Sequence, residues 1–284
     1  MASIFFALLI IVFFFFPLVT YIVFWYDTAN SSYLEELARE SDGRATNWVL
    51  KGLFSSILSQ IIVLCSYPLV FVKRLWHPGS GDSTTSPPVI LIHGLYHNAS
   101  AWVFYRWWLR RAGYRRVYAF NYKSLKYGFW EVYQQLDEWM LEIGGSFRGE
   151  EIVMVGHSIG GLLAKAYAGR KNGTQGPKVR AVVTLGAPNR GTRMAVFGMG
   201  RLAKSLAYGT SLIRELEGIK IPSSVSYTAL YSPVDNMVLP AESLKAPAGC
   251  KQEKTAPVCH VSMLYHGPTF KGVLSRIRAV NTAE

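Results

Sequence analysis

The ten residues Ile152–Gly161, IVMVGHSIGG, join a β-branched apolar run to a serine held between two glycines. The pattern Gly156-His157-Ser158-Ile159-Gly160 is entered from the strand-like Ile152–Val155 and left through a helical pattern that begins at Ile159. A strand that reverses into a helix across one serine is the setting of a nucleophile elbow. There the glycines leave room for the backbone, and the hydroxyl stands proud of the sheet at a helix N-terminus. Such a serine attacks a carbonyl carbon when a base takes its proton and donors receive the anion that forms. Five residues of this kind arise readily by chance; the strand before them and the helix after them carry the argument.

The chain has six histidines that could serve as the base. His77 precedes a Gly/Ser/Thr/Pro stretch. His93 and His97 sit in His-Gly-Leu-Tyr-His after another apolar run, and His157, beside the serine, is expected to point off the opposite side of the turn. His260 and His266 follow Tyr227–Tyr231, the last expected strand. The carboxylates beyond that strand are Asp235, in Ser-Pro-Val-Asp-Asn-Met-Val, and Glu242. A turn favours Asp in any case, so position alone does not assign either. The histidines are scattered, no Cys-x-x-Cys occurs, and no Gly-rich dinucleotide fingerprint is present, so neither a metal nor a cofactor is expected.

These residues must be positioned by alternating strands and helices. Val89–Ile92, Val117–Asn121, Ile152–Val155, Ala181–Leu185 and Tyr227–Tyr231 read as strands. Ala101–Ala112, Phe129–Ile143, a segment from Ile159 to about Arg170, and Phe270–Val280 read as helices. That alternation predicts an α/β domain with a mostly parallel sheet covered on both faces. Gly79–Pro88, GSGDSTTSPP, reads as a linker, separating an N-terminal region, 1–78, from a domain at 89–284.

Ile4–Trp25 carries no charge and is apolar apart from Thr20 and Tyr21. It exceeds the roughly 20 residues that span a bilayer. It lacks the basic start and small-residue cleavage site of a secretory signal, and Trp25 and Tyr26 suit an interfacial belt. An uncleaved membrane helix is expected. A second stretch, Leu53–Val72, is broken by Ser55, Ser56, Ser59, Gln60 and Pro68. It reads as a second span forming a hairpin, as an interfacial helix, or as a helix packed on the catalytic core, and the side of the membrane stays open.

The net charge of +12 is unevenly spread. Before Lys73 there are three basic and five acidic residues; the rest holds 27 basic and 13 acidic. A basic domain behind an apolar anchor suits anionic headgroups. No dense Lys/Arg run or nucleic-acid module is present, so nucleic acid is not expected as a partner. Of three cysteines, Cys65 reads as a small hydrophobe, while Cys250 and Cys259 are placed either to pair or to remain thiols.

HGLYHNASAW, GHSIGG, GAPNRGT and the later Asp and His segments, in that order, resemble the α/β-hydrolase superfamily, and in particular its bacterial lipases, over about Pro88–Val280. The resemblance implies the α/β-hydrolase fold and a serine esterase whose triad runs Ser, Asp, His along the chain. Ser158 is then the nucleophile. Asp235 is the acid, in a segment similar to the family's Asp-x-x-Val. His260 is the base, because Cys-His-Val-Ser-Met-Leu is similar to Gly-His-x-x-x-Leu, with Cys259 where Gly is common; His266 is the alternative. The backbone N–H groups of Leu95 and Ile159 are the implied oxyanion donors, and Tyr96 a pocket wall. Met194–Lys220 lies where lipase lids are inserted, giving an amphipathic lid within 193–222 or two packed surface helices. The N-terminal quarter has no counterpart in those secreted enzymes. The expected function is a membrane-anchored serine hydrolase that cleaves carboxylic, lipid-like acyl esters through an acyl-enzyme. Acyl transfer, or amide or thioester hydrolysis on the same triad, is the alternative chemistry; a non-catalytic membrane-bound binding protein is the alternative class.

Overall fold

Alternation along the strands sets the architecture. In β1 (Val89–Ile92), Ile90 and Ile92 face one core while Val89 and Leu91 face another. In the strand Ile152–His157, Ile152 and Met154 divide from Val153 and Val155 in the same way. Both faces are apolar, so the sheet must be covered twice. The computed structural model describes residues 11–77, 86–147, 149–171 and 176–281. Within them β1, β2 (Val117–Phe120), β3 (Ile152–His157), β4 (Val179–Leu185), β5 (Ser226–Tyr231) and β6 (Lys251–Lys254) form one parallel sheet in the order β2-β1-β3-β4-β5-β6. The fold is that of an α/β hydrolase.

The helices in chain order are α1 (Phe16–Ala29), α2 (Tyr33–Glu40), α3 (Ala45–Ser66), α4 (Val103–Arg111), α5 (Phe129–Gly144), α6 (Ile159–Lys171), α7 (Gly200–Ser205), α8 (Ser211–Gly218) and α9 (Gly267–Asn281). α5 and α6 cover one face of the sheet through Val132, Leu136, Met140, Leu162 and Leu163. α4 and α9 cover the other through Tyr105, Leu109, Val273 and Ile277. Leu202 of α7 and Ile213 and Leu216 of α8 are buried in the first core, whereas Val196, Phe197 and Met199 just before them are exposed.

α1, α2 and α3 build a third apolar cluster, in which Tyr21, Phe24, Tyr33, Leu37 and Ala45 pack with Met194, Val234, Leu239 and Cys259. The inward residues of α3 are small: Ala45, Gly52, Ser56, Ser59 and Ser66 are buried, at the spacing of one helix face. Its outward residues are large and apolar, with Leu50, Phe54, Leu58, Ile61 and Leu64 exposed. Small residues let backbones approach closely; Gly52 lies so near the Tyr21 ring that a Cβ there would collide with it. Ala45–Phe71 is long and apolar enough to cross a membrane, and Phe13–Ala29 is a shorter apolar helix. The start of the first apolar run and most of the linker Gly79–Pro88 lie outside the described residues.

Candidate active site

β1, β3 and β5 end on one edge of the sheet. The chain leaves β1 toward β2 on one side and returns through β3 on the other, which opens a crevice between the C-terminal ends of β1 and β3. Ser158 follows β3 directly. Its N–H continues the ladder to Leu185 O at 2.8 Å, and its φ of +55° is a left-handed value that non-glycine residues seldom adopt. The flanking glycines make the turn possible. A Cβ on Gly156 would meet Gly160 O, and one on Gly160 would meet Ile92 O of β1.

Asp235 lies four residues beyond β5 and is buried. Its Oδ1 accepts the N–H groups of Met237 and Val238 at 2.9 and 3.0 Å, a turn closed by its own side chain. Its Oδ2 lies 2.7 Å from His260 Nδ1. A carboxylate can only accept there, so Nδ1 carries the proton and the lone pair is left on Nε2. His260 follows β6 and is buried. Its carbonyl accepts from His157 Nε2 at 3.1 Å, and the two imidazole rings lie 4.6 Å apart. His157 is thus buried against the His260 segment. Among the described residues the Ser158 hydroxyl has no hydrogen-bond partner; such contacts commonly tighten only when substrate is bound.

His266 caps a helix. Its Nδ1 accepts the Thr269 N–H at 3.3 Å and lies 3.0 Å from the Thr269 hydroxyl, which caps the first turn of α9. Glu242 lies in a short 3₁₀ turn, Ala241–Leu244. Cys250 and Cys259 are free thiols, and Cys259 Sγ donates to Ser262 Oγ at 3.2 Å.

The N–H groups of Leu95 and Ile159 donate to no protein acceptor among the described residues. His93 aims the first of them. It donates from Nδ1 to Gly94 O at 2.8 Å, accepts the Tyr122 N–H at Nε2, and stacks on the Tyr122 ring at 4.1 Å. The Gly94 carbonyl and the Leu95 N–H belong to one planar trans peptide and point in opposite directions, so holding the carbonyl holds the amide. Burial pushes the His93 pKa down to about 3, which keeps the ring a neutral donor-acceptor. His97 is lowered to about 4 by burial and by the His260 imidazole.

Gly186 opens GAPNRGT, one of the segments that carry the family resemblance. Its φ is +57°, and a Cβ there would lie 2.9 Å from both Asp235 Oδ2 and His260 Nδ1. GAPNRGT therefore opens with the one residue type that leaves room for the carboxylate–imidazole pair.

The model of the alpha/beta hydrolase family matches residues 89–271. No curated protein matches the chain. Among solved structures, the mature lipase BlEst2 of Bacillus licheniformis superposes with a TM-score of 0.59 at 18% identity, over 70% of this chain and 95% of that one. The match spans 52% of the propeptide form of the same lipase. The monoacylglycerol lipase of Paleococcus ferrophilus gives 0.50 at 17% identity, over 69% and 96%. The lin2722 gene product of Listeria innocua gives 0.52 at 17% identity, over 66% and 92%. At these identities the likeness is one of fold.

Proposed function

The chain belongs to the alpha/beta hydrolase family, and on that premise we propose that it is a serine hydrolase that cleaves lipid-like carboxylic esters at a membrane surface. The observation that carries this reading is the buried Asp235–His260 pair, which holds the proton on Nδ1 and leaves the lone pair of His260 on Nε2.

In the proposed reaction His260 Nε2 takes the proton of Ser158 as Oγ bonds to the ester carbonyl carbon. The carbonyl electron pair moves onto oxygen, and the resulting anion accepts from the Leu95 and Ile159 amides. Collapse breaks the bond to the alcohol oxygen, which receives the proton from His260, and leaves an acyl-Ser158. Water then attacks the acyl carbon, giving its proton to His260. The second collapse returns that proton to Ser158 Oγ and frees the acid. Asp235 holds the imidazole in the Nδ1–H form throughout and stabilises the charge it gains.

The outer surface of α1 and α3 supports the membrane part of the reading. Phe54 is 70% exposed and lies among further large apolar side chains, and small residues make the inward face. A face of that kind is stable against acyl chains and not against water. Met194 packs with Tyr21 and Phe24, and Arg193 pairs with Asp27, so the segment that carries the exposed Val196 and Phe197 is joined to α1. The excess of basic residues after Val72 adds attraction to anionic headgroups.

The test is hydrolysis of nitrophenyl esters from acetate to palmitate by the full chain in detergent, beside Ser158→Ala, His260→Ala and His266→Ala. The expected result is a long-chain optimum, loss of turnover in the first two variants, and a His266 variant that turns over normally while losing about 1 kcal/mol of stability with its helix cap. Undiminished hydrolysis by Ser158→Ala overturns the reading, and a preference for acetate removes its lipid part.

A further inference from the structure

The two polar residues of the first apolar run, Thr20 and Tyr21, both reach the loop that carries Asp235. The Tyr21 hydroxyl donates to Val234 O at 2.9 Å, and Asn236 Nδ2 donates to Thr20 Oγ1 at 2.8 Å. Thr20 Oγ1 donates its own proton to Pro17 O at 2.9 Å, so toward Asn236 it can only accept. That fixes which end of the Asn236 amide faces α1. The other end, Oδ1, accepts the N–H of His260 at 3.2 Å. Thr20, Asn236 and His260 are all buried, so water does not substitute for any of these bonds.

α3 grips the same segment one residue earlier. Ser55 Oγ donates to Gly52 O at 2.7 Å and accepts the Cys259 N–H at 2.8 Å, while Ser262 Oγ donates to Ser55 O at 2.8 Å. With His157 on the His260 carbonyl, the main chain around the imidazole is held on both sides by groups outside its own loop. Two of those three holds come, directly or through Asn236, from the N-terminal helices and not from the sheet domain.

Resting on the hydrolase reading above, we infer that Thr20 and Asn236 are positioning residues for the base: the helical pair that faces the membrane also sets where His260 stands. Thr20 and Tyr21 are the two polar residues of this run, and both are turned to the loop that carries Asp235 and away from the exposed face of α1. A buried Asn satisfied at both ends has one orientation, and losing its partner on α1 frees the amide to turn and leaves the His260 N–H without a fixed acceptor.

The experiment uses the full chain in detergent micelles, with Thr20→Val, which keeps the shape and removes the hydroxyl, Thr20→Ser, which restores it, and Asn236→Ala alone and combined with Thr20→Val. Ester hydrolysis is followed against pH, and exchange of the His260 amide hydrogen is measured in parallel. Thr20→Val is expected to lower kcat about 3- to 10-fold with KM little changed and to shift the pH profile, with His260 amide exchange faster by about the same factor. Thr20→Ser is expected to restore all of these, and the double variant to be no worse than Asn236→Ala, because the two residues act in series. Thr20→Val with the exchange rate and pH profile of the parent overturns the inference, as does a loss that Thr20→Ser fails to restore. The exchange measurement reads the relay without turnover, so a failure of the hydrolase reading, seen as full activity in Ser158→Ala, is distinguished from a failure of this one.

Discussion

The Tyr96 hydroxyl and the Met199 main chain hold each other twice: Met199 N–H donates to Tyr96 Oη at 2.6 Å, and Tyr96 Oη donates to Met199 O at 2.8 Å. Tyr96 follows the oxyanion candidate Leu95 and itself has a φ of +60°, while Met199 ends the exposed apolar turn before α7. The Leu95–Tyr96 loop and the exposed apolar Val196, Phe197 and Met199 are therefore tied by the Tyr96 phenol. Tyr96→Phe removes both bonds and keeps the ring. It is expected to raise hydrogen exchange at the Met199 amide by about 10-fold or more, because the two bonds are each worth on the order of 1 kcal/mol. Unchanged protection at Met199 would show that α7 holds the turn without the phenol.

The strands β1 to β5 were legible because each is a short run dominated by apolar, β-branched or aromatic residues, and burial on both faces is what selects such residues. β6 was not. Lys-Gln-Glu-Lys has no apolar residue, since it is the exposed edge of the sheet, where charge discourages further pairing. α3 begins at Ala45, eight residues before its apolar run, and no capping side chain marks that start. Within the candidate site, Ser158 stood out by local pattern, and Asp235 and His260 were named only through the family resemblance. Gly186, Asn236 and the contact of His157 with His260 were not legible, because each is defined by a contact with a residue distant in sequence. Thr20 left one trace, as one of two polar residues in an otherwise apolar run.

Gly186→Ala separates intrusion from backbone strain. At this position a methyl group meets the Asp235 carboxylate and the His260 ring at 2.9 Å, on top of the cost of a positive φ. Gly209→Ala carries a similar φ of +74° with nothing within 4 Å. Both variants are expected to lose about 1 kcal/mol of stability from the backbone. Only Gly186→Ala is expected to lose kcat as well, by about 10-fold or more, since small displacements of a catalytic group cost up to about 100-fold. Equal kcat in the two variants would mean that the pair yields to the methyl group without cost.

Acid should unfold this chain early, and the reason lies in imidazoles around the crevice that do not carry the proposed chemistry. Burial lowers the His93 pKa to about 3, burial and the His260 ring lower His97 to about 4, and burial together with the His260 and His97 rings holds His157 well below the ordinary value. All three are neutral in the fold and bind a proton on unfolding once the pH falls below the unfolded value of about 6.5. The unfolded state then binds more protons than the folded one, so stability falls as pH falls, by up to about 1.4 kcal/mol per pH unit for each ring. The loss begins near pH 6.5 and continues for His93 until its folded pKa is reached. Between pH 6.5 and 5 few carboxylates titrate in the unfolded chain, so guanidinium denaturation at pH 7, 6 and 5 isolates the effect. A stability that stays level across that window would mean that these rings accept protons within the fold, and would remove the neutral His93 as the group that aims the Leu95 amide.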